Sequence, residues 1–197
     1  MLWFTADQHF GHRKLAPLRG FGSLDAMHEA LIARHNAVVS ADDDVYHLGD
    51  FAMDDRLVPW MLRELRGRHH LVAGNHDRCH PCHARHLTQA RQYVNAGFSD
   101  VQERLELDLE PLGRVALCHL PYVGDRTDED RLPDLRPLPG QERCLLHGHV
   151  HDRWRVRWVE LAGANRPMIN VGVDQWDLAP VGIPALIAAL EEPARSG

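Results

Sequence analysis

Five times along this chain a short β-prone run stops at a residue that can bind a metal or move a proton. Leu2-Trp3-Phe4-Thr5 leads to Asp7-Gln8-His9, and Val45-Tyr46-His47-Leu48 leads to Gly49-Asp50. His70-Leu71-Val72-Ala73 leads to Gly74-Asn75-His76-Asp77, and Val115-Ala116-Leu117-Cys118 leads to His119. Cys144-Leu145-Leu146 leads to His147-Gly148-His149-Val150-His151. Strand ends that face one edge of a sheet gather a site from distant sequence, so this pattern asks for that kind of fold. The last run is the densest. Gly148 is expected to turn the backbone tightly there so that neighbouring imidazoles converge. In a chain with 15 histidines that cluster is not diagnostic by itself; the other four runs supply its partners.

Between these runs the pattern alternates with helices. Ser23 is a suitable N-cap, and Leu24, Met27, Leu31, Ile32 and Val38 follow at helical spacing. Val58, Met61, Leu62 and Leu65 predict a second helix, with Pro59 in its first turn and Gly67 at its end. A helix is expected over 83–94 and a short one over 184–190, with a frayed tail after Glu192. Val101, Leu105, Leu107 and Leu109 read as one strand with a covered face. Strands are also expected over 155–161 and 168–173. The Pro-, Asp- and Arg-rich stretch 124–142 reads as a long surface loop, and Asp42-Asp43-Asp44 as a solvated turn. Some strands follow one another with no helix between them, which favours a mixed sheet or two sheets over a doubly wound parallel one.

In chain order the blocks read D-x-H, G-D, G-N-H-D, a lone H after a strand, and G-H-x-H. This set resembles the calcineurin-like metallophosphoesterases, small bacterial members in particular, and it spans Asp7 to His151. The resemblance implies an α/β fold, a four-layer α/β/β/α sandwich with mixed β-sheets. It implies two divalent transition metal ions, Mn²⁺ foremost with Fe or Zn²⁺ as alternatives. Asp50 matches the bridging ligand, a role that needs the two oxygens of a carboxylate. Asp7, His9 and His151 would complete one metal, and Asn75, His119 and His149 the other. The reaction implied is cleavage of a phosphodiester or phosphomonoester by a hydroxide shared between the metals. His76 matches the general acid, and Asp77 would orient its ring. His12 extends the first block and is expected to meet substrate phosphate or brace the loop; Arg13 is a further candidate for a phosphate contact.

Composition bounds the partners. At 197 residues, with 44% apolar and 25% charged residues, the chain reads as one domain over 1–197 with a core that needs no disulfides. A net charge of −6 argues against bulk duplex nucleic acid and leaves a small phosphate ester or nucleotide-type substrate. No apolar run approaches the ~20 residues of a membrane span, and no signal peptide is visible, so a cytoplasmic enzyme is expected. Cys79-His80-Pro81-Cys82-His83 with His86 reads as a loop and helix start, or as part of a third zinc site. Trp154, Trp158 and Trp176 read as packing or as a stacking platform for a base. The competing function is a scaffold of the same fold that has lost catalysis and binds a protein partner. The intact His76 weighs against it. A dinuclear hydrolase for a non-phosphate ester is a third reading.

Overall fold

The computed structural model describes residues 1–191; the tail expected after Glu192 lies outside the described residues. In chain order the strands are β1 (Leu2–Thr5), β2 (Asp44–His47), β3 (Arg68–Val72), β4 (Asp100–Gln102) and β5 (Leu105–Leu109), then β6 (Gly113–Leu117), β7 (Cys144–His147), β8 (Val156–Leu161), β9 (Ala164–Asn170) and β10 (Val181–Gly182). The helices are α1 (Leu15–Leu18), α2 (Leu24–Val38), α3 (Val58–Glu64), α4 (His86–Ala96) and α5 (Ile183–Glu191).

One sheet has the order β10-β1-β2-β3-β4, with β1 to β4 parallel and β10 antiparallel. The other has the order β5-β6-β7-β9-β8, with β6, β7 and β9 parallel and both edge strands antiparallel. Period-two alternation sends side chains to both faces of each sheet. Phe4, Leu48 and Val72 meet Val115, Leu117, Leu146 and Ile169 between the sheets. Leu71 and Ala73 turn the other way, toward Met27 and Leu31 of α2 and Met61 of α3. Ala116, Leu145 and Met168 face outward from the second sheet and are covered by Leu120, Tyr122 and Leu132. The result is an α/β sandwich of mixed sheets whose last layer is thin. Connecting loop covers much of that face, and α5 feeds Leu186 into the core between the sheets.

Ser23 caps α2 as its sequence predicts, accepting a bond from Ala26 N–H at 3.1 Å. Two expectations change. The apparent single strand over 101–109 is two strands: β4 closes one sheet and β5 opens the other. The alternation carries through the crossing with its parity unchanged, so periodicity alone does not register it. Asp43 is buried, not solvated: it accepts bonds from the Met1 amino group, Trp3 Nε1 and Ser40 N–H. Those bonds push its carboxyl down to about 2.

Beneath β2 and β3 lies a buried polar line. Gln8 Nε2 donates to Thr5 Oγ1 and His47 Nδ1, His47 Nε2 donates to His69 Nδ1, and His69 Nε2 donates to Leu65 O. His35 stacks alongside and donates to Arg66 O at 2.8 Å. Burial disfavours charge on all three rings: His35 is lowered to about 4, and His47 and His69 are lowered as well. The unfolded chain takes up protons on these rings below about pH 6.5 while the folded chain does not, so acid favours unfolding. Urea midpoints are expected to fall as pH drops from about 6.5 toward about 4. His35→Gln should flatten that slope relative to the unaltered chain, and midpoints for both proteins at several pH values check this.

Candidate metal centre

The parallel strands of both sheets deliver their carboxyl ends to one place. An Ala6–Gly172 bridge ties the end of β1 to the end of β9, which joins the two sheets at the site. Asp7 and His9 follow β1, Asp50 follows β2, Asn75 follows β3, His119 follows β6, and His149 and His151 follow β7. Five of these residues hold left-handed backbone: Asp7 (φ 59°), His9 (51°), Asp50 (55°), His149 (71°) and His151 (51°). Each such residue costs roughly 1–3 kcal/mol, which the surrounding fold must offset. Gly148 is not among the left-handed positions, so the turn expected of it falls on its histidine neighbours. A side chain there would put Cβ 2.6 Å from Asp7 Oδ2. Gly148 is therefore a close-approach glycine. Gly74 is another, since a Cβ would lie 2.4 Å from Asp50 Oδ1.

The seven side chains converge in one well; all but Asn75 are buried. His9 Nε2 lies 3.2 Å from His151 Nε2, 3.5 Å from Asp50 Oδ2 and 3.9 Å from Asp7 Oδ1. On the other side, His119 Nε2 lies 3.5 Å from Asp50 Oδ2 and 3.1 Å from Asn75 Oδ1. His149 Nδ1 lies 3.0 Å from the same amide oxygen. The groups Asp7–His9–His151 and Asp7–Asp50–His119 each bring their donor atoms close enough to hold a metal ion.

The protonation pattern fits a cation. His119 Nδ1 donates to Leu48 O at 2.7 Å, and His151 Nδ1 donates to Asp174 Oδ2 at 3.1 Å. Each neutral ring is thereby left with a bare Nε2 aimed into the well, the form a metal ligand needs. Burial alone would raise Asp50, yet His119, His9 and His76 hold it well below the usual carboxylate range. Burial opposes charge on His119, but Asp50 and Asp7 overcome it and push the ring up to about 9. The well demands positive charge. A second proton on His119 supplies some of it, and a divalent ion would supply more with all the imidazoles neutral.

Several supporting residues were not legible in the sequence. Arg19 donates to both oxygens of Asp174, at 2.7 and 2.9 Å, and to the carbonyls of Asp7 and Gln8. Asp125, from the long loop, sets Oδ2 3.0 Å from His149 Nε2, off the axis of the ring N–H. Asp125 belongs to no motif and no local spacing marks it; the segment that carries Asp174 has a recognisable sequence, but the contact of Asp174 with His151 is not encoded locally.

Asp77 requires a correction. It does not orient His76; its carboxylate accepts bonds from Asp50 N and Gly74 N, both at 2.8 Å, and from Phe51 N at 3.0 Å. It therefore clamps the end of β2 to the end of β3. Burial and the nearby Asp50 raise its carboxyl to about 7. His76 stands at the mouth, partly exposed, with Nε2 3.9 Å from Asp50 Oδ2. The His12 ring lies edge-on to His9 with centroids 5.5 Å apart. Its Nδ1 accepts from Leu15 N at 3.1 Å, which leaves an Nε2–H as a free donor. Arg13 is exposed.

The other sequence candidates have local duties. Cys82 Sγ and His83 Nε2 both contact Asn75 O, at 3.6 and 3.0 Å, and so brace the Asn75 loop. Among the described residues no metal-binding group forms around Cys79 and Cys82. His147 is fully buried, packs against Trp154 and points away from the well. Trp176 donates to Asn170 O beneath Arg155, and Trp158 is partly exposed on β8.

Two mixed sheets that pool carboxylates and imidazoles at their strand ends define a metallophosphoesterase-type domain. Residues 5–176 match the calcineurin-like phosphoesterase superfamily domain, and the chain belongs to that family. It is 35% identical over 190 residues to the Gene 66 protein of Mycobacterium phage D29, covering 91% of this chain and 92% of that one. The Gene 66 protein of Mycobacterium phage L5 is 34% identical over 185 residues, covering 88% and 86%. A solved structure of a protein of unknown function from Aquifex aeolicus shares the fold, with a TM-score of 0.68 at 23% identity, covering 96% of this chain and 98% of that one. Among the described residues no helix is long and apolar enough to cross a membrane.

The clamp role of Asp77 separates it from its neighbour in a stability measurement. Asp77→Ala strands three buried N–H groups and is expected to cost about 3 kcal/mol or more. His76→Ala, at a partly exposed position, should stay within about 0.5 kcal/mol. Urea unfolding of the two variants beside the parent checks the contrast.

Proposed function

We propose that this chain is a dinuclear metal-dependent phosphoesterase that cleaves a small phosphodiester or phosphomonoester. One observation carries the reading. Two buried carboxylates face imidazoles whose outer nitrogens are committed to Leu48 O and Asp174, so lone pairs and negative charge meet in one well. Asp7, His9, Asp50 and His151 would hold one ion, and Asp50, Asn75, His119 and His149 the other. Carboxylate, amide oxygen and imidazole together suit Mn²⁺, Fe or Zn²⁺. Two such ions offset charge on phosphoryl oxygens and supply hydroxide near neutral pH.

The protein's own groups do the rest. Asp50 Oδ1 accepts a bond from the His76 N–H at 2.9 Å, which ties the position of the acid to that of the bridging ligand. His76, at the mouth, is placed to protonate the leaving oxygen as the ester bond breaks. His12 offers its free Nε2–H to a non-bridging oxygen of the substrate. The buried walls behind the ligands exclude bulk water, so these charges act at low dielectric. The loops that bear His12 and Asp125 flank the mouth and would set the choice between diester and monoester. A catalytically silent scaffold would have no use for the exposed His76 beside Asp50.

Hydrolysis of bis-p-nitrophenyl phosphate and p-nitrophenyl phosphate, metal-stripped and with Mn²⁺, tests the proposal. Turnover is expected only with metal and should be lost in Asp50→Asn. His76→Ala is expected to lower kcat by about 10²–10⁴-fold with metal content unchanged. Metal-bound protein that cleaves neither compound and no other phosphate ester would favour the scaffold.

A further inference from the structure

The two halves of the centre are held by different means. His151 is oriented by Asp174, and Asp174 is gripped by Arg19, which also bonds the Asp7 and Gln8 carbonyls at the end of β1. Arg19 is the C-cap of α1, and Asp174 lies in a 3₁₀ turn over Val173–Gln175 just after β9. His149 has no such support. Its Nε2 faces Asp125, whose side chain, like that of His149, is only 2% exposed.

Asp125 is also the hub of the 124–142 loop. Its Oδ1 accepts from Arg126 N at 2.7 Å, from Arg131 Nε at 3.1 Å and from Arg131 Nη2 at 2.6 Å. Its Oδ2 accepts from Arg131 N at 3.3 Å and lies 3.7 Å from Arg136. Arg136 in turn bonds Asp130 and the Pro121 carbonyl, which closes the loop on itself. One carboxylate thus meets both the loop's arginines and a side chain of the metal well. An ionised carboxylate only accepts, so beside it the His149 proton belongs on Nε2, which frees Nδ1 to face Asn75 and a metal.

We propose that Asp125 is a positioning residue that couples order in the 124–142 loop to occupancy of the second metal position, the one formed by Asp50, Asn75, His119 and His149. The inference rests on the dinuclear reading above. It makes the two positions unequal: the first is preorganised by Arg19 and Asp174, and the second fills as the loop docks. Coupling of this kind is reciprocal, so the ion stabilises the loop as much as the loop stabilises the ion. A loop that flanks the mouth and closes with the second ion would form the substrate pocket only when the centre is complete.

Mn²⁺ titration of metal-stripped protein, followed by electron paramagnetic resonance and by hydrogen exchange of the loop, tests this without turnover. The parent should bind two ions in two affinity classes, with exchange over 124–142 slowing as the weaker class fills. Asp125→Ala should weaken that class by about 10–100-fold, leave the tighter class unchanged as an internal check on folding, and make loop exchange indifferent to Mn²⁺. Arg131→Met keeps the carboxylate beside His149 but loosens the loop, and should weaken the second class by a smaller factor. Two ions with unchanged affinities in Asp125→Ala, or a loop that ignores Mn²⁺ in the parent, would overturn the coupling alone. A parent that binds a single Mn²⁺ would overturn the dinuclear reading, and the coupling with it.

Discussion

Asp7 and Asp50 are buried together at the junction of two sheets, and the architecture around them answers the cost of that arrangement. Taking a carboxylate out of water is expensive unless charge and hydrogen bonds compensate it. Here the compensation comes from imidazoles delivered by β1, β6 and β7, and from backbone N–H groups: His76 N bonds Asp50, and His149 N bonds both oxygens of Asp7. A site with that balance is destabilising when short of positive charge. The raised His119 and the depressed Asp50 are two expressions of the same deficit. In a calcineurin-like phosphoesterase domain such a deficit has a use, since under the function proposed above divalent cations would offset it.

The strain needed to aim the ligands is held by parts that do no chemistry. Left-handed backbone at five of the candidate ligand residues would relax if the strand ends could drift apart. Asp77 prevents that between β2 and β3 by spanning Gly74, Asp50 and Phe51. Arg19 and Asp174 do it between β1 and the segment after β9. Gly74 lets the end of β3 approach Asp50, and Gly148 lets the end of β7 approach Asp7. These clamps belong to the sandwich, whereas Asp125, beside His149, belongs to a segment with no regular structure beyond a 3₁₀ turn over Pro133–Leu135.

The five blocks of the sequence were legible because each is local. A β-prone run followed by Asp, His or Asn announces a strand end bearing a ligand, and the order of blocks carries the family resemblance. Ser23 capping α2 and Pro59 opening α3 were legible for the same reason. The crossing between β4 and β5 was not, because alternation kept its parity across the break. Asp43 looked like any acidic turn residue, since its partners, Met1 and Trp3, come from a different strand.

The sequence by itself determined the candidate ligands, the alternating elements that carry them and the class of chemistry they support. The tertiary structure alone decided which atoms face the well. It moved Asp77 from a partner of His76 to a clamp on backbone, and it gave Arg19, Asp125 and Asp174 their places behind the ligands. The reason is physical. A ligand type and its strand are encoded within a few neighbouring residues, whereas the partner that fixes an imidazole's tautomer is set by packing between segments far apart: 23 residues for His151 and Asp174, 71 for His119 and Leu48.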